Sequence, residues 1–521
     1  MITSSNAETR LHTTCGSDGH VANGLRVICV GSALIPLRRR LRTIRGVAAA
    51  PTVSLRTASR VLCLAGCALL AGCAPPEPES AAGSSAFSTD VPGIEERHLS
   101  PDFWLAQTRH GDEIVLSADE IAAFNRRAFD AVDNMVRLDA LPEAFDRDEL
   151  VERIRSISKP SSYERWYANG IKFTDADWAR FDAMLNLDGI AERNPLRFGM
   201  VVERASMRTY PTGERIYNTE TPTDIDRFQE NGLFPGDAVA ILHASTDGNW
   251  LLVQTYNYLA WAPRNAIGVG DLDAILDYRR SERFLVVTGD KVFTTFNPEL
   301  PATSELQLDM GIRLPLLPSA QAGNALRGQN PYTSHAVLLP VRDAAGRLTF
   351  EPALVARGQD VNVGYLPYTR GNVIRQSFKF LGERYGWGHD YNARDCTGFV
   401  SEVYKTFGIL MPRNSGDQRD SVIGENLRFG ESDDREARIA GLGTLDVGDL
   451  VYIPGHVMLS LGEVDGEPYV IHDVNGLNYA GPDGELYSGV LNTVAVTPLK
   501  PLKSDEGKHY VDLMLSIKDV R

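Results

Sequence analysis

At 521 residues the chain exceeds the length at which a single hydrophobic core keeps growing, so it divides into several domains, about three or four of ordinary size. Apolar residues make up 43% and charged residues 23%, which excludes a disordered or membrane-embedded chain. After residue 73 there are 44 basic against 66 acidic side chains, a balance near −22, and that excludes a nucleic-acid partner, because phosphate binding needs a basic footprint.

The first 73 residues hold nine arginines, no lysine and five of the six cysteines: Cys15, Cys29, Cys63, Cys67 and Cys73. Arg56 and Arg60 precede the apolar run Val61 to Leu70, which ends in Leu70-Ala71-Gly72-Cys73 before the Pro-rich Ala74 to Pro78. Charged, apolar and small-residue parts in that order read as a secretory leader, and the run is too short to span a bilayer as a helix. Leu70 to Cys73 resembles the bacterial lipobox, which implies that Cys73 becomes the lipid-bearing N-terminus. Leu64-Ala65-Gly66-Cys67 has the same letters but leaves only six residues after Arg60, so Cys73 is preferred. Ala74 is not the aspartate that retains lipoproteins at the inner membrane. The expected location is therefore the outer membrane of a Gram-negative host, facing the periplasm, and the expected translation start lies near Val53 or Leu55.

Residues 74–97 are rich in Pro, Ser, Ala and Glu without apolar periodicity and read as a flexible tether. A helical domain is expected over 98–195. Ser117-Ala118-Asp119-Glu120 is a capping box ahead of Ile121, Phe124 and Phe129, and Thr174-Asp175-Ala176-Asp177 repeats the logic ahead of Trp178, Phe181 and Leu185. From Leu196 the pattern becomes short alternating runs with tight turns, as in Asp237 to Leu242, Asp247-Gly248-Asn249 and Trp250 to Val253. Gly236-Asp237 to Val239, Ser245, Asp247-Gly248-Asn249-Trp250, Val253 and Trp261 resemble a bacterial SH3 domain, implying a small barrel over 196–272. A second stretch of short strands, 273–368, includes Val337 to Asp343 and is expected to form a further barrel of that type.

The chemistry lies in 369–521. Asn372 to Arg384 has helical spacing, Tyr385-Gly386-Trp387-Gly388 breaks it, and a second helical segment begins at Asp395-Cys396-Thr397-Gly398, with Phe399, Val400, Val403, Tyr404 and Phe407 at helical intervals. Cys396, the sixth cysteine, is thereby placed at a helix N-terminus, where end amides and a neighbouring imidazolium lower a thiol pKa to roughly 3.5–7.5. A nucleophilic cysteine needs a base and an orienting group. Asp449 to Ile453, His456 to Leu461 and Pro468 to His472 read as three strands. His456 and His472 share a face only if their connection has an odd count or a bulge, since one residue of slip swaps faces. A strict two-residue Asp465-Gly466 turn would separate them.

Asp395-Cys396-Thr397-Gly398-Phe399-Val400, Gly455-His456-Val457 and His472 together resemble the bacterial NlpC-type peptidases, papain-like enzymes with a Cys, His and polar-residue triad. The likeness is strongest over residues 369–500. It implies a multidomain α+β chain in which a papain-like α+β catalytic domain follows two SH3-like β-barrels and an N-terminal helical domain. It also implies Cys396 as nucleophile, His456 as base and His472 as orienter. Asp395, Ser415 (nineteen residues after the cysteine) and Trp387 are implied to bind substrate. The implied substrate is a murein (peptidoglycan) stem peptide, cut between γ-D-glutamate and the L-diamino acid (meso-diaminopimelate). A preference for a free N-terminal L-Ala is implied too, with the first barrel closing one end of the cleft; Tyr256, Tyr258 and Asp237 are candidate closing residues. Two positions depart from the family: Thr397 replaces the commoner serine, and His389 replaces a glycine.

His243 and His335 fall in the expected barrels and read as surface or satisfied core residues. No metal-ligand spacing, P-loop or G-x-S-x-G pattern occurs, so neither a metal nor another cofactor is expected. The competing reading is a non-catalytic wall-binding lipoprotein with a vestigial peptidase domain, which intact Cys396, His456 and His472 oppose.

Overall fold

The computed structural model describes residues 87–221 and 224–521; the expected leader with Cys73, and the start of the tether, lie outside the described residues. The tether is shorter than its composition implied. From Asp90 the chain packs onto the C-terminal domain: the Tyr487 hydroxyl donates to Asp90 at 2.5 Å, and the Tyr469 hydroxyl to the Gly93 carbonyl at 2.8 Å. His98 is buried against Phe103, Trp104 and Tyr469. A few aromatic partners outweigh the polar composition of 90–97.

Both predicted capping boxes form. Ser117 accepts from the Glu120 amide while Glu120 accepts from the Ser117 amide at 2.8 Å, opening helix α2 (Ala118–Ala131), and Thr174 pairs likewise with Asp177. With α1 (Pro101–Gln107), α3 (Arg147–Ile157) and α4 (Asp175–Met184) they account for the expected helical stretch. That stretch is not a domain with its own core, however. Trp104, Ile121, Phe124 and Ala128 are buried with the C-terminal domain, whereas Phe145, Leu150, Ile154 and Phe181 are buried with Tyr210, Phe228 and Trp261 of the first β domain. Each helix presents one apolar stripe, and the stripes find sheets and a distant helix before they find each other.

Among the described residues one sheet runs from Arg197 to Gly270: β1 (Arg197–Val201), β2 (Ala205–Arg208), β3 (Gln229–Leu233), β4 (Ala238–Ala244), β5 (Trp250–Gln254), β6 (Leu259–Pro263) and β7 (Ile267–Gly270). The spatial order is β7-β1-β4-β5-β6-β2-β3. Val239 and Ile241 of β4 face an inner core with Leu251 and Val253, whereas Ala240 and Leu242 face α3 and α4. Burial on both faces explains why Ala238–Leu242 is continuously apolar. Helix α5 (Leu272–Arg280) leads into a second β module. Its strands β8 (Phe284–Val287), β9 (Lys291–Phe293), β10 (Gln307–Asp309), β11 (Arg313–Pro315), β12 (Ser334–Arg342), β13 (Leu348–Ala356) and β14 (Val361–Val363) make three small sheets around one core that includes Leu285, Leu308 and Leu339.

The C-terminal domain sets helices α6 (Arg370–Ser377) and α7 (Cys396–Lys405) against a sheet of β15 (Glu425–Arg428), β16 (Leu450–Ile453), β17 (His456–Val464), β18 (Glu467–Ala480), β19 (Leu486–Pro498) and β20 (Ser516–Asp519). The order is β15-β20-β16-β17-β18-β19. Phe399, Val400, Val403, Tyr404 and Phe407 are all at most 1% exposed, so the apolar stripe of α7 is sealed onto the sheet and its N-terminus is held in place. Burial of each such side chain stabilises by about 1.5–3 kcal/mol.

Candidate active site

Asp395 is the N-cap of α7, accepting from the Gly398 amide at 2.9 Å, so Cys396 is the first helical residue and its own amide has no intrahelical acceptor. The cysteine is 7% exposed and its sulfur receives the backbone N–H of Val457, the neighbour of His456. Helix α7 and strand β17 thereby bring the Cys396 sulfur to the backbone next to His456.

The hairpin meets its condition through a bulge. Its turn is the two-residue Asp465-Gly466, with Val464 opposite Glu467, and both turn residues have positive φ, 52° and 80°. That register alone puts His456 and His472 on opposite faces. Between Ser460 and Gly462 the register shifts by one, so that Leu459 pairs with Ile471, and the two histidines come to one face. His456 Nε2 lies 2.8 Å from His472 Nδ1, and His472 Nε2 lies 2.9 Å from the Thr497 hydroxyl of β19. The pattern fixes the tautomers once His456 is to act as a base at Nδ1. Its proton then sits on Nε2 and is donated to His472 Nδ1, and His472 donates from Nε2 to Thr497.

Electrostatics corrects the expected thiolate. Burial, reinforced by the Asp395 charge, pushes the Cys396 thiol up to about 12, against the pull of the Val457 amide. Burial lowers His456 to about 4, partly offset by Asp395, and burial with help from His456 lowers His472 well below the ordinary histidine value. The thiol and both imidazoles therefore rest neutral, because burial penalises the charged form of each and the Arg413 charge offsets it only weakly at the sulfur. Tyr385 is driven well above its ordinary range by burial and by the charges of Cys396, Asp395 and Asp473, so its phenol stays protonated.

Asp395 is 6% exposed and its oxygens are occupied by the amides of Gly388 and Gly398, the Thr397 hydroxyl and Arg413, the last at 2.6 Å. Burial opposes its ionisation, but Arg413 and its other partners hold the carboxyl well below the usual range. With every lone pair used, Asp395 anchors α7 and Arg413 rather than offering a free carboxylate to a substrate amine. Ser415 opens the short helix α8 (Ser415–Asp420), half-buried, and its hydroxyl takes no part in this network. Arg413, two residues earlier, enters the site instead. Trp387 is half-buried and donates from Nε1 to the Gln229 carbonyl at 3.0 Å, which ties it to β3. His389 is buried at φ +65°, 3.2 Å from Glu402, its ring against Gly398 and its Cβ against Gly232, where an added Cβ would come within 2.6 and 2.9 Å of it.

Strand β3 walls the site from the first β domain. Gln229 donates to the Gly388 carbonyl at 2.7 Å, and Arg413 donates to Asn231 at 2.6 Å and to the Glu230 carbonyl at 3.2 Å. The Glu230 carboxylate accepts from the hydroxyls of Thr209 and Tyr258, and burial raises its pKa. Tyr258 thus belongs to the wall. Tyr256 and Asp237 do not: Tyr256 stacks edge-on with Phe129, and Asp237 caps the Phe234 amide. Sequence reasoning missed Tyr385, Arg413, Glu230 and Thr497. Tyr385 stands in the helix break beside Trp387 and Arg413 beside Ser415, signals that were present; Glu230 and Thr497 lie in strands whose partners are distant in sequence. His243, as expected, is satisfied, 3.1 Å from the carbonyls of both Leu185 and Asn186.

Residues 382–494 match the NlpC/P60 family, and residues 215–263 match an SH3 domain of the SH3b1 type. A gamma-D-glutamyl-L-lysine dipeptidyl-peptidase of Bacillus cereus (strain ATCC 10987 / NRS 248) is 25% identical over 197 residues, which is 35% of this chain and 54% of that protein. The chain therefore spans about half the length of the curated relative it matches. An NlpC/P60 endopeptidase from Photobacterium damselae subsp. piscicida shares the fold with a TM-score of 0.63 at 19% identity, over 80% of this chain and 96% of that one.

Proposed function

We propose that this chain, which carries an SH3b domain ahead of an NlpC/P60 papain-like domain, is a cysteine peptidase that hydrolyses murein stem peptides between γ-D-glutamate and the diamino acid. The observation that carries the reading is the line His456, His472, Thr497 set beside a cysteine at a helix N-terminus. Cys396 Sγ attacks the D-glutamyl side-chain carbonyl carbon as its proton passes to His456 Nδ1. The oxyanion is met by the Cys396 amide and the Tyr385 hydroxyl. On collapse the C–N bond breaks, His456 returns the proton to the leaving amine, and a thioester remains. Water, deprotonated by the same histidine, then cleaves the thioester and restores the thiol.

The wall built by β3 supports a substrate with a free N-terminal L-Ala. Glu230 and Tyr258 reach the junction from the barrel, and Glu230 supplies the carboxylate that Asp395 cannot. Cys73 anchors the enzyme as a lipoprotein at the outer membrane, facing the periplasm; palmitate labelling lost in Cys73→Ser tests this. For the reaction, L-Ala-γ-D-Glu-diaminopimelate is incubated with the enzyme beside the same peptide acylated at its N-terminus. Release of L-Ala-D-Glu from the free peptide alone, abolished in Cys396→Ala, is expected; equal cleavage of both refutes the amine requirement, and activity in Cys396→Ala refutes the mechanism. The buried, neutral Cys396 favours a second reading, a wall-binding protein without catalysis, which an inactive wild-type chain in this assay would establish.

A further inference from the structure

Behind the helix that carries Cys396 lies a set of polar groups that the chemistry above does not use. Gly398, Ser401, Glu402 and Lys405 follow one side of α7 and line a cavity of about 140 Å³. A second cavity of about 660 Å³ shares with it Phe234, Asp237, Tyr256, Arg279 and Lys405, so these five side chains stand at the joint between the two. Lys405 Nζ lies 5.6 Å from the centre of the Phe234 ring and 5.8 Å from that of Tyr256. Among the described residues it has no hydrogen-bond acceptor and no carboxylate within ion-pair distance. Its side chain is rooted against Gly311, where an added Cβ would come within 2.5 Å of Lys405 Cβ.

The neighbouring groups point the same way. The Tyr256 hydroxyl is buried without a hydrogen-bond partner. Arg279 is half-buried, pairs with no carboxylate among the described residues, and acts electrostatically on both Tyr256 and Lys405. Glu402 is committed to Arg394 and His389, and one oxygen of Asp237 to the Phe234 amide. Burial opposes the charge on Lys405, but Tyr256, Asp237 and Glu402 raise its pKa above the usual value, so it stays an ammonium. Two half-buried cations and a buried free hydroxyl therefore line the joint with a single uncommitted carboxylate oxygen near them. A buried hydroxyl without a partner, beside half-buried cations without a counter-ion, is unfavourable unless an anion satisfies them.

We propose that this joint binds a small organic carboxylate with an apolar body, the carboxylate held by Lys405, Arg279 and the Tyr256 hydroxyl, and the body lying against Phe234 and Phe129. Such a ligand would touch α2, the first β domain, α5 and α7 at once, and so clasp the barrel to the helix whose other end is Cys396. The site is independent of the peptidase reaction and stands or falls apart from it.

Benzoate is the probe, titrated calorimetrically into the full chain, with benzamide as the uncharged isostere and inorganic phosphate as an anion without an apolar body. One-site binding of benzoate is expected, at least tenfold tighter than either control, and weakened at least tenfold in Lys405→Met and in Tyr256→Phe. Tyr256→Phe removes only the hydroxyl and keeps the reading available should Lys405→Met fail to fold. Absence of benzoate binding, binding unchanged in both variants, or phosphate binding as tightly as benzoate overturns the proposal.

Discussion

A histidine lowered by burial changes the acid limit of the reaction it serves. In the proposed reaction His456 must be neutral to take the thiol proton, and its pKa stands at about 4, so the competent form persists well below the ordinary histidine value and is lost only as the pH falls through about 4. The logarithm of kcat/KM is therefore expected to stay level from pH 7 to about 5 and to drop below 4, and a break near 6.5 would refute the neutral pair. The thiol, pushed up to about 12, is expected to react with iodoacetamide at a rate that climbs with pH through 6 to 9 without a plateau. Thr497 acts through His472, as a positioning residue. Thr497→Val is expected to lower kcat while leaving KM in place, and by less than His472→Ala, since it frees the second ring without removing it. A general base is worth roughly 10²–10⁴-fold, so His456→Ala should cost at least the lower figure.

Among the elements, the segment Glu383 to Arg394 depends on one ionic knot. Arg394 is 0% exposed and donates to Asp309 at 3.0 Å, Glu383 at 2.6 Å and Glu402 at 2.8 Å, as well as to the Asp290 carbonyl at 2.9 Å. It thus joins β10 of the second β module to α7. Against the opposing effect of burial, Arg394 holds Glu402 down to about 2, whereas for Asp309 burial outweighs the same cation. Removing one member of a buried charged group leaves the others uncompensated, so Arg394→Met is expected to destabilise by about 3–5 kcal/mol, measured by denaturant unfolding. A carboxylate depressed in the fold stabilises above its unfolded value, so the Glu402 share is expected to fade as the pH drops from about 4.5 through 2.

The same elements show what was legible in the sequence. Capping boxes and the stripe Phe399 to Phe407 are local signals, and both predicted their helices. The facing of His456 and His472 hung on a bulge at Ser460–Gly462, which glycine at 462 hints at but only pairing with β18 decides. Glu230 and Thr497 were hidden for a related reason: each acquires its role from a partner outside its own strand, Tyr258 and His472, and spacing carries no trace of that.

For the molecule as a whole, shared cores replace a row of separate domains. Trp104, 1% exposed, and Phe124 sit with Phe399, Tyr404 and Phe407, more than 240 residues away. Trp104→Ala is expected to destabilise the C-terminal domain by about 3–5 kcal/mol, read from its melting, and a chain beginning at residue 369 is expected to melt well below the full chain. A C-terminal domain as stable alone as in the full chain would refute this.

The position of β20 extends the point into time. Ser516–Asp519 is an interior strand of the C-terminal sheet, flanked by β15 and β16, while α1 and α2, more than 380 residues earlier, complete the core beneath α7. During synthesis the sheet stays open until Ser516–Asp519 has emerged, and α1 and α2 wait with Trp104 and Phe124 uncovered. A chain cut before Ser516 lacks the strand between β15 and β16, so the sheet on which the helix carrying Cys396 packs is expected to lose its continuity.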